Sequence, residues 1–435
     1  MIITYYWPPA GGAGVQRALK FAKYLPDFGW QPLVLTLKNA SYPSLDATLI
    51  KDIPDSLKEY RTNAFLPFSL YRKFVGMKKN ENIPVEILAE NIDTSWEKRL
   101  SLWIRKNLVV PDAYMGWIPF AVQKGLKIIH DEKPQIIFSS SPPPTVHLVA
   151  KILSKLSHLK WIADLRDPWA RMYYYEKKER LRITQEIDEY LERNTIGSAH
   201  FITAVSDGIG KYCARKAGKD YLKITNGYDE EDFRLIPQTS EDRHTFRIIH
   251  TGSAGSQRNP LVLFECLSEL IATGQIKKDT VEIIFAGTTC KKTQNLKSLF
   301  PEINTHFVGH LPLARAINLT STASILLLLI NDVPGSREII TAKLFNYLPL
   351  KTFILGLGPE DGEAARILQH TGAGQMVDWK DKEKLKSLLA SKYKIWMEKG
   401  NIPVSSSINQ YSRKALTDKL AEIYNSIIAE EKLNL

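Results

Sequence analysis

Two stretches of this sequence join a glycine-rich turn to basic side chains, a pairing suited to holding phosphate. The richer is Ile249-His250-Thr251-Gly252-Ser253-Ala254-Gly255-Ser256-Gln257-Arg258-Asn259-Pro260, which reads as strand, glycine turn and helix start. Backbone N–H groups of Thr251, Gly252 and Ser253 are available to an anion there, and Arg258 can neutralise a diphosphate. His250 reads as a strand-end packing residue, because no base partner is evident. Farther on, Glu338, Lys343 and Asn346 follow Pro334-Gly335. Lys343 stands one turn before Asn346, so the two can face one ligand; a solvated helix face is the alternative for Glu338 and Lys343.

The other glycine turn is Tyr5-Tyr6-Trp7-Pro8-Pro9-Ala10-Gly11-Gly12-Ala13-Gly14-Val15-Gln16-Arg17. Gly11, Gly12 and Gly14 let backbone approach a ligand, and the helix N-terminus behind them favours an anion. This is not the dinucleotide fingerprint, because Gly12-Ala13-Gly14 leads to Arg17 rather than to a third glycine. A tight strand-to-helix turn with no ligand remains open. Asp164-Leu165-Arg166-Asp167-Pro168-Trp169 follows a strand, where open α/β sheets bind ligands. Arg166 offers a planar donor fork to phosphate, and Asp167 can accept from hydroxyls. The alternative is an internal ion pair of Arg166 with Asp164 or Asp167. No metal site is expected: Cys213, Cys266 and Cys290 are scattered, and the acidic run Asp229 to Asp232 reads as a hinge turn.

These residues need strands to carry them. Short apolar runs alternate with helical ones, which marks parallel α/β units. The expected strands of the first half are Ile2 to Tyr6, Leu33 to Thr36, Ile136 to Ser140, Trp161 to Asp164 and His200 to Ala204. Val15, Ala18, Leu19, Ala22 and Leu25 recur at helical spacing between the first two. The pattern restarts with Phe246 to His250, Val281 to Ala286, Ile325 to Leu329 and Thr352 to Leu355. The expected architecture is α/β, with two Rossmann-like doubly wound domains facing across a cleft: residues 1–240, with an insertion at 39–106, and residues 241–405. Residues 406–435 form a C-terminal helix expected to pack back across the hinge on Leu416, Leu420, Ile423, Tyr424 and Ile427.

At 435 residues the chain exceeds one core's natural size, consistent with two domains. A net charge of +11 suits nucleic acid, an anionic membrane or a phosphorylated substrate. No zinc-finger spacing or RNA-binding strand signature is present, so nucleic acid is not an expected partner. The opening residues are strand-like rather than a basic segment with a long apolar stretch, and no run approaches the ~20 apolar residues of a membrane span. A cytoplasmic protein is expected, with peripheral contact to the inner membrane face through residues 65–106. There Trp96, Leu100, Trp103 and Ile104 share a helical face, and Lys98, Arg99, Arg105 and Lys106 lie largely off it. A surface helix packing its Trp face on the core is the competing expectation.

Trp7-Pro8-Pro9-Ala10-Gly11-Gly12-Ala13-Gly14, then Gly29-Trp30 and Pro32, resembles the opening of glycosyltransferase family 4 and its GT-B relatives. Pro111 to Trp117, Ser139 to Pro144, Trp161 to Trp169 and Val205-Ser206-Asp207 are similar, in order, to a bacterial subgroup of that family. The resemblance implies transfer of a sugar from a nucleoside-diphosphate sugar to a hydroxyl acceptor, with retention; no metal or cofactor is expected, and the expected acceptor is a lipid-linked or cell-surface polysaccharide or glycolipid precursor, with a small soluble acceptor as the alternative. It implies that Arg258 and Lys343 act on the leaving diphosphate, that Gly252, Ser253, Glu338, Asn346 and Asp167 bind the donor, and that Gly11, Gly12, Gly14 and Arg166 line the acceptor side. Relatives carry two glutamates separated by seven residues; Glu338 takes the first position, and Asn346 stands in the second. That departure keeps a catalytically weakened binding protein open as an alternative, alongside a sugar-nucleotide epimerase.

Overall fold

Strands buried on both faces have no polar side to expose, and their sequences read as unbroken apolar runs. The central strands follow that rule. In the computed structural model, which describes residues 1–38, 40, 42, 44–65, 100, 103–104, 106–170, 180–234, 244–402, 404 and 407–433, the chain divides into two compact units. One comprises Met1–Thr225 with Leu416–Leu435, the other Asn226–Ala415. The expected boundary lay near residue 240, in the polar stretch after the hinge turn.

The first unit holds β1 (Ile2–Thr4), β2 (Leu33–Leu37), β3 (Lys58–Thr62), β4 (Ile136–Ser140), β5 (Lys160–Leu165), β6 (Phe201–Ala204) and β7 (Tyr221–Lys223) in one parallel sheet, ordered β3-β2-β1-β4-β5-β6-β7. Its helices include α1 (Ala13–Tyr24), α2 (Ile118–Glu132), α3 (Thr145–Ser157), α4 (Arg182–Gly197) and α5 (Asp207–Ala217). The strand order reverses between β1 and β4. The second unit holds β8 (Phe246–Thr251), α6 (Leu261–Ala272), β9 (Val281–Ala286), α7 (Lys291–Leu299), β10 (Asn304–Phe307), α8 (Leu313–Thr320), β11 (Ile325–Leu329), α9 (Ala342–Tyr347), β12 (Phe353–Leu357), α10 (Glu363–Thr371), β13 (Gly374–Val377) and α11 (Lys382–Lys399). Its sheet is parallel in the order β10-β9-β8-β11-β12-β13 and reverses between β8 and β11. Two α/β doubly wound sheets are thus present, as expected.

One expectation is corrected. The stretch from residue 39 contains β3, which pairs with β2 along its whole length, and a 3-10 helix over Ala47–Asp52, so this part is not an elementless insertion. β3 escaped notice because Lys-Glu-Tyr-Arg-Thr is an edge strand and carries charge. The last helix, α12 (Arg413–Leu433), buries Leu416, Leu420, Ile423, Tyr424 and Ile427. The Tyr424 ring meets Trp30 at 5.0 Å and Phe138 at 6.3 Å, and Trp30 Nε1 donates to Asn425 Oδ1 at 3.0 Å. The acidic run after Asn226-Gly227 is a 3-10 helix, Glu230–Phe233, capped by Asp229, whose carboxylate accepts from the Glu231 N–H.

α1 buries more than its apolar stripe. Arg17 and Lys20 are both fully buried, each on a carboxylate. Lys20 Nζ lies 2.7 Å from Asp52. Arg17 makes a bidentate pair with Asp164, 2.8 and 2.6 Å, and donates to the Thr225 carbonyl at 2.8 Å. Asp164 also accepts from Ser140 Oγ at 2.6 Å and Thr203 Oγ1 at 2.7 Å, so one carboxylate ties α1 to β4, β5 and β6. Burial alone would raise this carboxyl, but Arg17 and the two hydroxyls hold it below its ordinary value. A carboxyl depressed in the folded state stabilises it at neutral pH, and that contribution fades only as pH falls through the lowered pKa. The ion pair weighed in the sequence, Arg166 with Asp164 or Asp167, is not the one formed among the described residues: Asp164 takes Arg17 as its partner.

Replacing Asp164 by Ala leaves a buried guanidinium uncompensated and should cost about 3–5 kcal/mol in urea unfolding, whereas Arg17→Met/Asp164→Leu should recover most of that loss. A loss under about 1 kcal/mol for Asp164→Ala would mean that water reaches Arg17.

Candidate functional site

In an open parallel sheet, the loops leaving the two strands on either side of an order reversal part from each other and leave a crevice at the carboxyl edge. In the second unit those loops follow β8 and β11, and they carry the residues singled out above. Gly252 starts the turn with φ +96°, a backbone conformation that L side chains rarely adopt. A Cβ there would also sit 2.2 Å from Lys343 Cε. Gly287, in the loop after β9, has φ +141°, and a Cβ would lie 2.2 Å from the Gly252 carbonyl oxygen. Two glycines are thus required for these loops and Lys343 to pack together.

Lys343 reaches in from the first turn of α9. Its Nζ lies 3.2 Å from the Ser253 carbonyl and 3.4 Å from His250 Nε2. Arg258, in the short 3-10 turn Ser256–Arg258, comes to the same residue: NH1 is 3.0 Å from Ser253 Oγ. Its Nε donates to Asn331 Oδ1 in the loop after β11, and Asn331 Nδ2 donates to Gln257 Oε1 at 3.2 Å. The two cations and the glycine turn meet at Ser253. Burial and the neighbouring Arg258 charge push the Lys343 ammonium well below its ordinary value.

His250 sits fully buried at the end of β8. Its Nδ1 is 2.9 Å from the Leu327 carbonyl, and its Nε2 is 3.3 Å from the Ser253 carbonyl and 3.4 Å from Lys343 Nζ; assigning the one proton to the shorter carbonyl contact, at Nδ1, turns the Nε2 lone pair to Lys343. Burial first, then the Lys343 charge, lowers its pKa to about 3. His250 is neutral packing, with the added task of receiving Lys343. Tyr347, also on α9, anchors the strand end: its hydroxyl accepts from the Thr251 N–H at 2.8 Å.

The backbone amides behave differently from expectation. Thr251 N–H goes to Tyr347 and Gly252 N–H to the Ala286 carbonyl at 2.6 Å. Of the three expected to face an anion, only that of Ser253 has no partner among the described residues. Positive charge in this loop therefore comes from side chains rather than from an amide nest. Glu338 closes the 3-10 helix Ser336–Glu338 and is exposed, without a partner among the described residues. Its neighbour Arg337 pairs with Asp361 at 2.8 Å. Asn346 is half-buried on α9, one turn beyond Lys343, and its amide has no hydrogen-bond partner among the described residues.

In the first unit the glycines of the turn after β1 have internal reasons. Gly12 caps α1 with φ +82°. Gly11 donates to the Ser44 carbonyl at 2.9 Å, and a Cβ on it would meet Ser44 Oγ at 2.9 Å; one on Gly14 would touch the Tyr6 ring at 3.1 Å. Arg166 is turned inward, donating to the carbonyls of Ser141, Gly14 and Pro142. It thereby joins the loops after β1, β4 and β5, and its guanidinium is spent on main chain. Asp167 is half-buried beside it with no hydrogen-bond partner among the described residues, and burial raises its carboxyl, countered in part by Arg166. Sequence reasoning missed Asn331, Tyr347, Gly287 and Arg17. Gly287, one residue past the end of β9, was the one with a readable signal.

No family model matches the sequence, and no curated protein is similar to it at a significant level. Solved structures are similar in fold. Sucrose-phosphate synthase from Thermosynechococcus elongatus matches with a TM-score of 0.62 at 12% identity, covering 99% of this chain and 98% of that one. HepE from Anabaena, solved in complex with UDP-glucose, matches with a TM-score of 0.55 at 13% identity, covering 100% and 99%. A Listeria monocytogenes protein described as a UDP-N-acetylglucosamine 2-epimerase matches with a TM-score of 0.51 at 12% identity, covering 99% and 96%. With both sheets parallel and doubly wound, and with likeness along the whole chain, the fold is that of the GT-B proteins.

Proposed function

We propose that this chain transfers a glycosyl group from a nucleoside-diphosphate sugar to a hydroxyl acceptor, with retention at the anomeric carbon and without a bound metal, in cell-surface polysaccharide or glycolipid synthesis. One observation carries the reading: Lys343 and Arg258 converge on Ser253 at the β8–β11 reversal, and no carboxylate pairs with Lys343 among the described residues. Two cations at that separation repel, and a diphosphate laid across them turns repulsion into attraction. The likeness to HepE, solved with UDP-glucose, supports a nucleoside-diphosphate sugar as the ligand.

On this reading the leaving diphosphate gains negative charge as the glycosidic bond breaks, and Arg258 and Lys343 stabilise that charge without reorganising. Ser253 contributes its N–H. Glu338 accepts from donor-sugar hydroxyls, and Asn346 offers one amide oxygen to the ribose, where a carboxylate would offer two equivalent oxygens. Asp167 accepts from a hydroxyl of the sugar. An epimerase of the same fold is the second reading, favoured by the Listeria likeness; it would transform the donor with no acceptor present.

Calorimetry with UDP, GDP and ADP sugars tests the assignment. One donor should bind, and Arg258→Ala and Lys343→Ala should each reduce binding by about 10- to 150-fold, from loss of a charge-assisted contact worth about 1.5–3 kcal/mol. Unchanged affinity in both variants would sink the site; no binding to any donor would favour the catalytically weakened binding protein, and donor turnover without acceptor the epimerase.

Because binding an anion favours charged Lys343, whose ammonium is depressed beforehand, donor binding should take up a proton and weaken as pH rises through the lowered Lys343 value. Titrations in buffers of different ionisation heat measure this directly, and Lys343→Ala should abolish the uptake.

Gly252→Ala should move the flexible end of Lys343 and cut donor affinity with a small fall in Tm. Gly287→Ala drives its Cβ onto backbone and should lower Tm more.

A further inference from the structure

Single exposed apolar side chains are ordinary on a folded protein; a continuous set of them is not. Among the described residues, eight of the twenty large apolar side chains that are exposed belong to two short segments, Leu100, Trp103, Ile104 and Leu108, and Leu181, Ile183, Ile187 and Tyr190. In the first, Leu100, Ile104 and Leu108 recur every fourth residue, and a bond from the Leu108 N–H to the Ile104 carbonyl, 2.8 Å, gives the second of these steps a helical turn. In the second, Ile183, Ile187 and Tyr190 recur at i, i+4 and i+7 on α4 and share one face. The competing expectation put the face of Trp96, Leu100 and Trp103 on the core; Trp96 lies outside the described residues, while Leu100 and Trp103 are 44% and 43% exposed and Leu108 and Ile183 65% and 64%.

The two segments are far apart in sequence and are fastened together. Asn107 Oδ1 accepts from the Leu181 N–H at 2.6 Å, the Asn107 carbonyl accepts from Thr184 Oγ1 at 2.9 Å, and the Lys106 carbonyl accepts from Arg180 Nε at 3.1 Å. Asn107, Thr184 and Arg180 are buried, so a polar seam lies beneath an apolar exterior. Asn107 sets the base of the first stripe against the first turn of the second.

Charge identifies the occupant. Residues 98–108 contain Lys98, Arg99, Arg105 and Lys106 and no acidic residue; the first three lie outside the described residues, and the sequence alone sets them beside Leu100, Ile104 and Lys106. α4 adds a balanced flank in which Arg182 pairs with Glu186, and Glu189 and Arg193 follow. A second copy of this chain, itself at +11, would meet like charge there. Anionic lipid headgroups would meet opposite charge, and the Trp and Tyr residues suit the headgroup level, where one edge of the ring is wet and the other apolar. We propose that the face formed by Leu100, Trp103, Ile104 and Leu108 with the outer stripe of α4 seats on an anionic membrane surface, with Trp103, Ile104, Leu108, Ile183 and Ile187 entering the interface and Lys106 meeting the headgroups. This face lies wholly in the first unit and does not rest on the donor-site reading.

The test is co-sedimentation of the full chain, without donor, with vesicles of phosphatidylcholine alone or with about 30% phosphatidylglycerol. Binding should require the anionic lipid and be released at about 0.5 M salt. Ile183→Ser/Ile187→Ser and, separately, Trp103→Ser should each reduce the bound fraction roughly tenfold, with thermal unfolding and donor binding unchanged. Failure of the unmodified chain to bind anionic vesicles, binding undiminished in both variants, or a dimer in light scattering that Ile187→Ser dissociates would each overturn the proposal.

Discussion

Lys343 and Arg258 reach Ser253 from either side of a strand-order reversal, and two cations so placed repel. What keeps them there is everything else in the second unit. The reversal at β8 and β11 separates the loops, Gly252 and Gly287 let those loops and the lysine stem pack closely, Asn331 fixes the guanidinium from the β11 side, and neutral His250 takes Lys343 on a lone pair. Each support is short and locally determined, so the cationic pair is preorganised rather than assembled by its ligand. Preorganised charge costs stability in the free protein and returns the cost when an anion arrives.

The first unit meets the same requirement in the opposite way. Its buried charges are satisfied internally: Arg17 by Asp164, Lys20 by Asp52, and Arg166 by three carbonyls, two from the loop after β4 and one from the first turn of α1. The carboxyl edge of this sheet is therefore stiffened by cations and presents few of them. Asp167 is the exception, a half-buried carboxyl without a hydrogen-bond partner among the described residues, at the end of a strand whose other polar groups are paired. Its raised pKa marks how little solvation it receives.

The fold was legible where burial made the sequence monotonous. β9 and β11 are apolar along nearly their whole length, and β4 and β8 each hold a cluster of apolar residues before a polar end, which was enough to place them. β7, β10 and β13 lie outside the expected strands because Tyr-Leu-Lys, Asn-Thr-His-Phe and Gly-Gln-Met-Val are short and mixed, as strands toward a sheet's edge tend to be. In the site, the glycine turn, Arg258 and Lys343 were legible because glycine and basic residues have few reasons to cluster at a strand end. Asn331 and Tyr347 were not, since an amide and a phenol have many uses and only the fold reveals that these two hold neighbours in place. The burial of Arg17 and Lys20 ran against residue type and could be seen only once Asp164 and Asp52 stood beside them.

Asn346 acquires a different meaning in this setting. Read as a departure from a two-glutamate pattern, it suggests weakness, because an amide gives up one acceptor and a full charge. Placed one turn from Lys343 on a six-residue helix, it also withholds a carboxylate from the neighbourhood of a lysine whose charge is already hard to maintain. A glutamate there could draw Lys343 into an ion pair and would repel a diphosphate. An amide does neither. On the proposed donor reading, the substitution trades a stronger grip on a hydroxyl for a cation that no carboxylate on α9 compensates, and it would leave ligand binding in this loop to Arg258 and Lys343.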